Sequence, residues 1–459
     1  MKEFMKSYKY IIGLLAFVAV VSSCKKEDED VFSQDATTRV EQTKSQLVQT
    51  LVSSEKGWVF NYYPNPKKYG AFTFLIQFKD NGVCDMRGDL FFESDGVTTS
   101  SYSTNASQGV VLNFDTYGLL TKLADPSLFL TGSGWEGENE FIYLRTSANQ
   151  DTVYYKGKKY GFETFMYRNT QDWDTFFNGV NGMIKNFSTG NSALFFRELN
   201  YGGLGDTQVT FTGYNLAKRT LTAYYKAENA DTLIYQTAKL IITDKGVEFA
   251  EPLVIKGHSF QNFPFNGEKF ICSDEGGKGA TFLNVNKPTF NFGDVTKKML
   301  RGIFEDDNYV EQVDRYRLTS LPYDLQVKAD ALSSEIPDFQ LYAIYPQKES
   351  LGTSYYFFAF GTDGTYLVPY IGAKLTLKKS TDRLDEVEFT IPRSGKISIV
   401  WAGEGSVYEQ PSEEYSNRFI EFYKELFGNQ SYIIIPSSDY KMFEFGNENS
   451  ANYFGITIL

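Results

Sequence analysis

Phe72-Thr73-Phe74-Leu75-Ile76-Gln77-Phe78, then Lys79-Asp80-Asn81-Gly82, then Val83-Cys84-Asp85-Met86-Arg87: the reading of residues 72–87 decides the fold. Phe72, Phe74, Ile76 and Phe78 alternate with mostly polar neighbours, the period of two that marks a half-buried strand. Turn chemistry then sets the register. A two-residue Asn81-Gly82 loop would set Phe78 opposite Asp85 and Ile76 opposite Arg87. A three-residue loop, with Gly82 in the left-handed bulge position, sets Phe78 opposite Cys84 and Ile76 opposite Met86. Only the second keeps one face apolar, so it is the register expected.

Similar runs follow at 99–105, 110–114, 140–145, 153–156 and 162–167. Their short, even spacing predicts an up-and-down meander, either a twisted sheet or a partly closed barrel. Before them, residues 35–56 read as a helix, capped by Asp35 or Thr37, striped by Val40, Leu47, Val48, Leu51 and Val52, and stopped by Gly57. Residues 171–187 regain the helical period through Trp173, Phe176, Phe177, Val180, Ile184 and Phe187, weakened by Gly179 and Gly182. Strands resume over 193–273, with a hairpin at Asp244-Lys245-Gly246 and a strand at Phe270-Ile271-Cys272.

The Gly-rich, charged stretch 273–280 reads as a joint. Beyond it come a short helix at 294–304, a strand-rich stretch 354–370 with a turn at Asp363-Gly364, and a helix capped by Ser412 and ended by Gly428. Strands at 431–436 and 453–459 close the chain. The fold class is therefore α+β, predominantly antiparallel β: a helix and a β-meander (34–170), a second β-rich region (171–275) and a C-terminal α+β region (281–459).

The first thirty residues carry an address. Lys2, Lys6 and Lys9 precede the apolar run 11–21, which is shorter than the ~20 residues a membrane span needs and fits a secretory signal. It ends in Val21-Ser22-Ser23-Cys24, which resembles the lipobox of bacterial lipoproteins. Residues 1–23 are then a signal peptide, and Cys24 the lipidated N-terminus. Lys25-Lys26-Glu27-Asp28-Glu29-Asp30 has no apolar residue, so 24–33 is a solvated tether. It also resembles the acidic export signal that sends Bacteroidetes lipoproteins to the outer leaflet.

Composition excludes several classes. The 459 residues hold 57 acidic and 45 basic side chains, a net charge of −12, and one histidine beside 40 Phe and 32 Tyr. One histidine rules out zinc sites built on two or three, and the acidity argues against a nucleic-acid partner. No cofactor or metal site is expected. No HExxH, GxSxG, P-loop or helix-opening GxGxxG occurs. His258, in Gly257-His258-Ser259-Phe260, reads as a loop tip or strand edge, and Glu305-Asp306-Asp307-Asn308 as a solvated acidic turn. Cys84 and Cys272 sit in apolar alternations, as buried thiols do, with a disulfide left open.

Order of motifs carries a resemblance. The lipobox and acidic tail are followed by a helix running into Gly57-Trp58-Val59-Phe60-Asn61-Tyr62-Tyr63. Then come Phe114-Asp115-Thr116-Tyr117 with Leu123-Ala124-Asp125-Pro126, Gly157-Lys158-Lys159 between two strands, and Gly246-Val247-Glu248-Phe249 before Pro252-Leu253. Together they resemble the Bacteroidetes lipoprotein family described as domain of unknown function 4302. The resemblance implies a surface-exposed accessory lipoprotein beside a nutrient-uptake system, with no catalytic residues.

Candidate ligand contacts are aromatics in or beside polar, Gly/Asn/Pro-rich segments: Trp58, Tyr62, Tyr63, Tyr69, Trp135, Trp401 and Tyr453. A ring face covers the C–H surface of a sugar while Asn, Asp and Glu take its hydroxyls. Asp151-Thr152-Val153 and Asp231-Thr232-Leu233 resemble the Bacteroidetes O-glycosylation acceptor at Thr152 and Thr232. The function expected is a non-catalytic, outer-membrane accessory or ligand-binding lipoprotein. Its partners would be membrane lipid through acylated Cys24, a glycan or peptide, and an outer-membrane transporter. The alternative is a glycan hydrolase built on two carboxylates.

Overall fold

The computed structural model describes residues 35–459 apart from 91–95, 108, 129–133, 189–193, 213–214, 216, 227–232, 294, 296–315, 322, 335–338, 341–343, 350–351, 363–366, 380–381, 391–412, 428–429, 438–441, 451 and 459. The signal segment, Cys24, the acidic tether, Thr232, Trp401, most of the 294–304 stretch, Glu305-Asp306-Asp307-Asn308, the Asp363-Gly364 turn, Ser412 and Gly428 lie outside the described residues.

Asp35 caps the first helix, α1 (Ala36–Val52), accepting a 2.6 Å hydrogen bond from the Thr38 N–H. The helix stops four residues before the expected end. Ser53 Oγ bonds back to the Thr50 carbonyl at 2.7 Å and Ser54 Oγ to the Gly57 carbonyl at 2.6 Å, diverting the chain into a turn that Gly57 completes at φ +76°. Leu47 and Leu51 are buried in the core of the sheet that follows, with Val40 and Val52 packed against it.

That sheet is a closed, antiparallel, eight-stranded barrel in chain order. Its strands are β1 (Trp58–Tyr62), β2 (Phe72–Phe78), β3 (Val83–Gly88), β4 (Thr98–Ala106), β5 (Val110–Phe114), β6 (Glu140–Thr146), β7 (Thr152–Gly157) and β8 (Glu163–Arg168). Phe78 stands opposite Cys84 and Ile76 opposite Met86, with Gly82 at φ +75°, the register that a three-residue loop requires. Closure comes from β1, which pairs with β2 on one edge and β8 on the other. It leaves the meander no open edge. Inward side chains fill the lumen, with ring centroids 5.4 Å apart for Phe60–Phe141, 6.2 Å for Phe114–Phe141 and 4.9 Å for Phe78–Tyr102. Eight strands leave room for side chains or one small ligand, and here side chains take it.

Helix α2 (Leu119–Ala124) adds Leu119, Leu120 and Leu123 to the barrel core. Helix α3 (Trp173–Ser188) lies between the barrel and a second sheet. Its Phe176, Phe177 and Val180 pack on Val59 and Leu75 of the barrel's outer face, while Met183, Ile184 and Phe187 join the second core. Gly179, expected to weaken the helix, is where the Asp244 side chain closes to 3.0 Å of the space a Cβ would take.

The second sheet runs β14-β13-β12-β11-β10-β9-β15, from β9 (Phe196–Asn200), β10 (Val209–Phe211), β11 (Thr220–Lys226), β12 (Leu233–Ile242), β13 (Gly246–Ile255), β14 (His258–Pro264) and β15 (Thr281–Val285). Two expectations change here. Phe270-Ile271-Cys272 makes only isolated bridges, Phe265↔Phe270 and Ile271↔Thr281. The 273–280 stretch is a loop within this unit, because β15 pairs with β9 from Thr281↔Asn200 to Val285↔Phe196. Gly277 serves packing there: a Cβ on it would strike the Phe260 ring. Asp274 ties the loop down by accepting the N–H groups of Gln261 (2.5 Å) and Asn262 (2.8 Å). Cys84 lies in the barrel core and Cys272 in the second core.

Among the described residues, the C-terminal sheet has nine strands: β16 (Tyr316–Ser320), β17 (Phe339–Gln340), β18 (Ile344–Glu349), β19 (Gly352–Thr362), β20 (Leu367–Lys379), β21 (Glu386–Thr390), β22 (Gln430–Pro436), β23 (Met442–Asn447) and β24 (Tyr453–Ile458). Because β19 also pairs with β20, its hydrogen-bonded order returns on itself. Helices α4 (Tyr323–Ser334) and α5 (Glu413–Phe427) pack together beside it.

Backbone hydrogen bonds weld barrel to second sheet: Gly70 N–H to the Lys218 carbonyl at 2.8 Å and Ala71 N–H to the Leu240 carbonyl at 2.9 Å. A Cβ at Gly70 would strike the carbonyl oxygens of Arg219 and Leu240, so this approach requires glycine.

Candidate functional site

Where the rim of the barrel meets the second sheet, a cleft of about 200 Å³ opens. The end of β1 and the turn beyond it bring Tyr62, Tyr63 and Pro66. The approach to β6 brings Glu138 and β6 itself Phe141, while the end of β7, the turn beyond it and the start of β8 bring Gly157, Phe162, Glu163 and Thr164. Lys239 of β12 and Ala250 and Glu251 of β13 form the opposite wall.

Its polar groups have defined duties. Tyr62 Oη donates to the Glu138 carbonyl at 2.9 Å and accepts from the Glu138 N–H at 2.5 Å, pinning the approach to β6 against β1. The Glu138 carboxylate accepts the Lys159 N–H at 2.6 Å and so holds the β7–β8 turn. A Cβ at Gly157 would collide with that carboxylate. Burial pushes the Glu138 carboxyl up from its ordinary range, while the Lys159 and Tyr160 N–H groups pull it back. Lys239 Nζ donates to the Pro66 carbonyl at 2.6 Å, bridging barrel and sheet, and reaches Glu251 Oε1 at 3.2 Å. Burial, with Glu248 and Glu251 nearby, pushes the Tyr63 phenol far up, so it stays an uncharged hydroxyl.

Chemically, this is a recognition surface. It offers half-buried Tyr63 and Phe162 beside a lysine and two exposed carboxylates, Glu163 and Glu251. Its most buried carboxylate, Glu138, is engaged by the backbone. Among the described residues, no group of three or more His, Cys, Asp and Glu side chains is placed to hold a metal ion.

The expected aromatics divide sharply. Tyr62 and Tyr63 line the cleft. Of these two only Tyr63 keeps exposed surface; Trp58, Tyr62, Tyr69, Trp135 and Tyr453 are corrected in their exposure: each is buried. Trp58 lies beneath α1, its Nε1 donating to the Leu51 carbonyl at 2.8 Å. Tyr69 Oη points at the Gly134 carbonyl, 3.4 Å away. Trp135 packs edge-on against Phe72 at 6.3 Å and donates to the Ala217 carbonyl at 2.8 Å. Tyr453 lies 5.3 Å from the Phe195 ring. Polar and glycine-rich surroundings marked these as loop rings, yet Trp58 and Tyr453 open strands β1 and β24, and the loops that carry Tyr69 and Trp135 are covered where barrel and second sheet meet.

Thr152 opens β7, half-buried, its Oγ1 donating to Asp151 Oδ1 at 3.0 Å. His258 opens β14, with Nδ1 2.9 Å from the Gly276 carbonyl and its ring edge-on to Tyr201 at 5.1 Å. It does not line the cleft. Phe162, Lys239 and Glu251 were not singled out by the sequence, since their convergence needs two units to meet.

No curated protein matches the chain. Among solved structures, a post-proline cleaving enzyme from Rickettsia typhi aligns at 10% identity over 90% of this chain, with a TM-score of 0.10. The aligned part spans 63% of that enzyme's length, and the likeness carries no argument about fold or activity. The model of a family described as domain of unknown function (DUF4302) matches residues 28–267. That match takes in the whole barrel, α3 and the second sheet through β14, which are the elements that build the cleft. With just over half of the chain matched, this protein belongs to the DUF4302 family.

Proposed function

We propose that the protein is an outer-membrane lipoprotein facing the medium, anchored through acylated Cys24, that captures a glycan without cleaving it, beside a nutrient-uptake system. The carrying observation is the cleft: Tyr63 and Phe162 stand beside Lys239, Glu163 and Glu251, while the Glu138 carboxylate is bound to the β7–β8 turn. Ring faces suit the C–H surfaces of a sugar, and the flanking ammonium and carboxylates suit its hydroxyls. The lipobox-like Val21-Ser22-Ser23-Cys24 and the acidic tether support the address.

Lipid-free protein beginning at residue 31, screened against oligosaccharides and peptides for both binding and product release, tests the activity. Binding of an oligosaccharide without turnover is expected. Turnover would replace this reading with the two-carboxylate hydrolase. Protease added to intact cells tests the address: the protein should be removed, and a Cys24→Ala variant should lose its membrane attachment. Protection from the protease would refute display on the outer leaflet.

A further inference from the structure

Outside the cleft, the barrel wall carries a row of rings. Arg145 of β6, Tyr154 of β7 and Phe165 of β8 are direct cross-strand partners at one level. Strand alternation turns them outward, because Val153, Tyr155 and Met166 face the lumen. The Arg145 guanidinium lies 3.6 Å from the Tyr154 ring centroid. Tyr154 and Phe165 are 6.0 Å apart and Phe165 and Tyr167 6.4 Å, with planes inclined by 44° and 42°. A register shift between Tyr143 and Arg145 adds Leu144, which is 41% exposed, and Phe165 is 47% exposed. One exposed apolar side chain calls for no explanation, but a contiguous row does.

Two features define the occupant. From Arg145 through Tyr154 to Phe165 the row is a single ring wide, with Lys156 opposite Glu163 on one flank and, on the other, Thr152 opposite Tyr167, which packs against the cluster beneath α3. A protein partner needs a broad face with few charges at its centre, on the order of 800 Å² a side. A narrow aromatic strip between polar flanks instead suits sugar rings laid end to end. The strip also meets the cleft. Glu163, two residues along β8 from Phe165 on the same face and opposite Lys156, lines the cleft.

We propose that the strip of Phe165, Tyr154 and Arg145 is an extended subsite for a polysaccharide, so that the ligand is a chain reaching from the cleft across the barrel wall. This rests on the reading of the cleft as a glycan site. The full chain is run in native gels containing soluble xylan, galactomannan or amylopectin, and titrated with trisaccharides cut from each. The expected result is retardation by one polysaccharide, weakened about tenfold in Tyr154→Ala/Phe165→Ala, the equivalent of one or two stacked rings. Phe165→Trp should retain it, and trisaccharide affinity should be the same in all variants. Equal retardation of wild type and double variant, with trisaccharide still bound, would overturn the extended subsite alone. Wild type that binds neither polysaccharide nor trisaccharide would overturn the subsite and the cleft reading together. The outward position of both rings keeps the variants folded, which an unchanged melting curve verifies.

Discussion

Arg219 and Asp89 meet where the second sheet joins the barrel: Arg219 Nη2 lies 3.2 Å from Asp89 Oδ2, with both side chains sealed from solvent. The same guanidinium donates to the Asp89 carbonyl at 2.6 Å and lies 5.0 Å from the Phe72 ring centroid, while Asp89 Oδ1 accepts the Thr73 N–H at 2.8 Å. A buried ion pair of this kind specifies how two surfaces fit more than it adds stability. Arg219→Met alone should cost about 3–5 kcal/mol in urea unfolding, because it strands a buried carboxylate. Arg219→Met with Asp89→Asn should recover more than half. A double variant as unstable as the single one would show that the pair's geometry, not its charge, holds the seam.

Glu444 of β23 sets a pH dependence. It acts on the phenols of Tyr224 in the second sheet and Tyr453 in the C-terminal sheet, and Lys218 is the cation that draws on it. Burial pushes its carboxyl from 4.5 to about 7. A raised acid holds its proton in the folded protein over a range where the unfolded chain has lost it. Stability should therefore fall as pH rises from 4.5 to about 7, by on the order of 3 kcal/mol, and stay level above that. Glu444→Gln should remove this slope from denaturation curves taken across the range. A slope unchanged in the variant would assign it elsewhere.

Gly82 reports the register of the first hairpin. At φ +75°, with only the Tyr102 carbonyl near the space a Cβ would take (3.4 Å), the strain of a side chain is conformational rather than steric. Gly82→Ala should cost about 1 kcal/mol and Gly82→Asn less, since Asn tolerates the left-handed region. Equal melting temperatures for all three would contradict the bulged turn.

Local periodicity made the first helix, the meander and the Phe78–Cys84 register legible, because each depends on residues near in sequence. Closure of the barrel was not, since β1 pairs with β8 across the length of the unit. Nor was the seam. Trp58 and Trp135 sit among glycine and charged residues as exposed rings do, yet α1 covers the first, and the second is pinned to Ala217 of the second sheet. Lys239 and Glu251 lie in strands whose own pattern is unremarkable, and their place opposite Tyr63 exists only once β12 and β13 reach the barrel rim.

Calorimetric titration of wild type, Tyr63→Ala and Phe162→Ala with the oligosaccharide that binds most tightly tests the central claim most directly. The cleft account predicts saturable binding by wild type, a loss of about tenfold or more in each variant for one removed ring contact, and no released product. Undiminished affinity in both variants, or hydrolysis of the sugar during the titration, would contradict it.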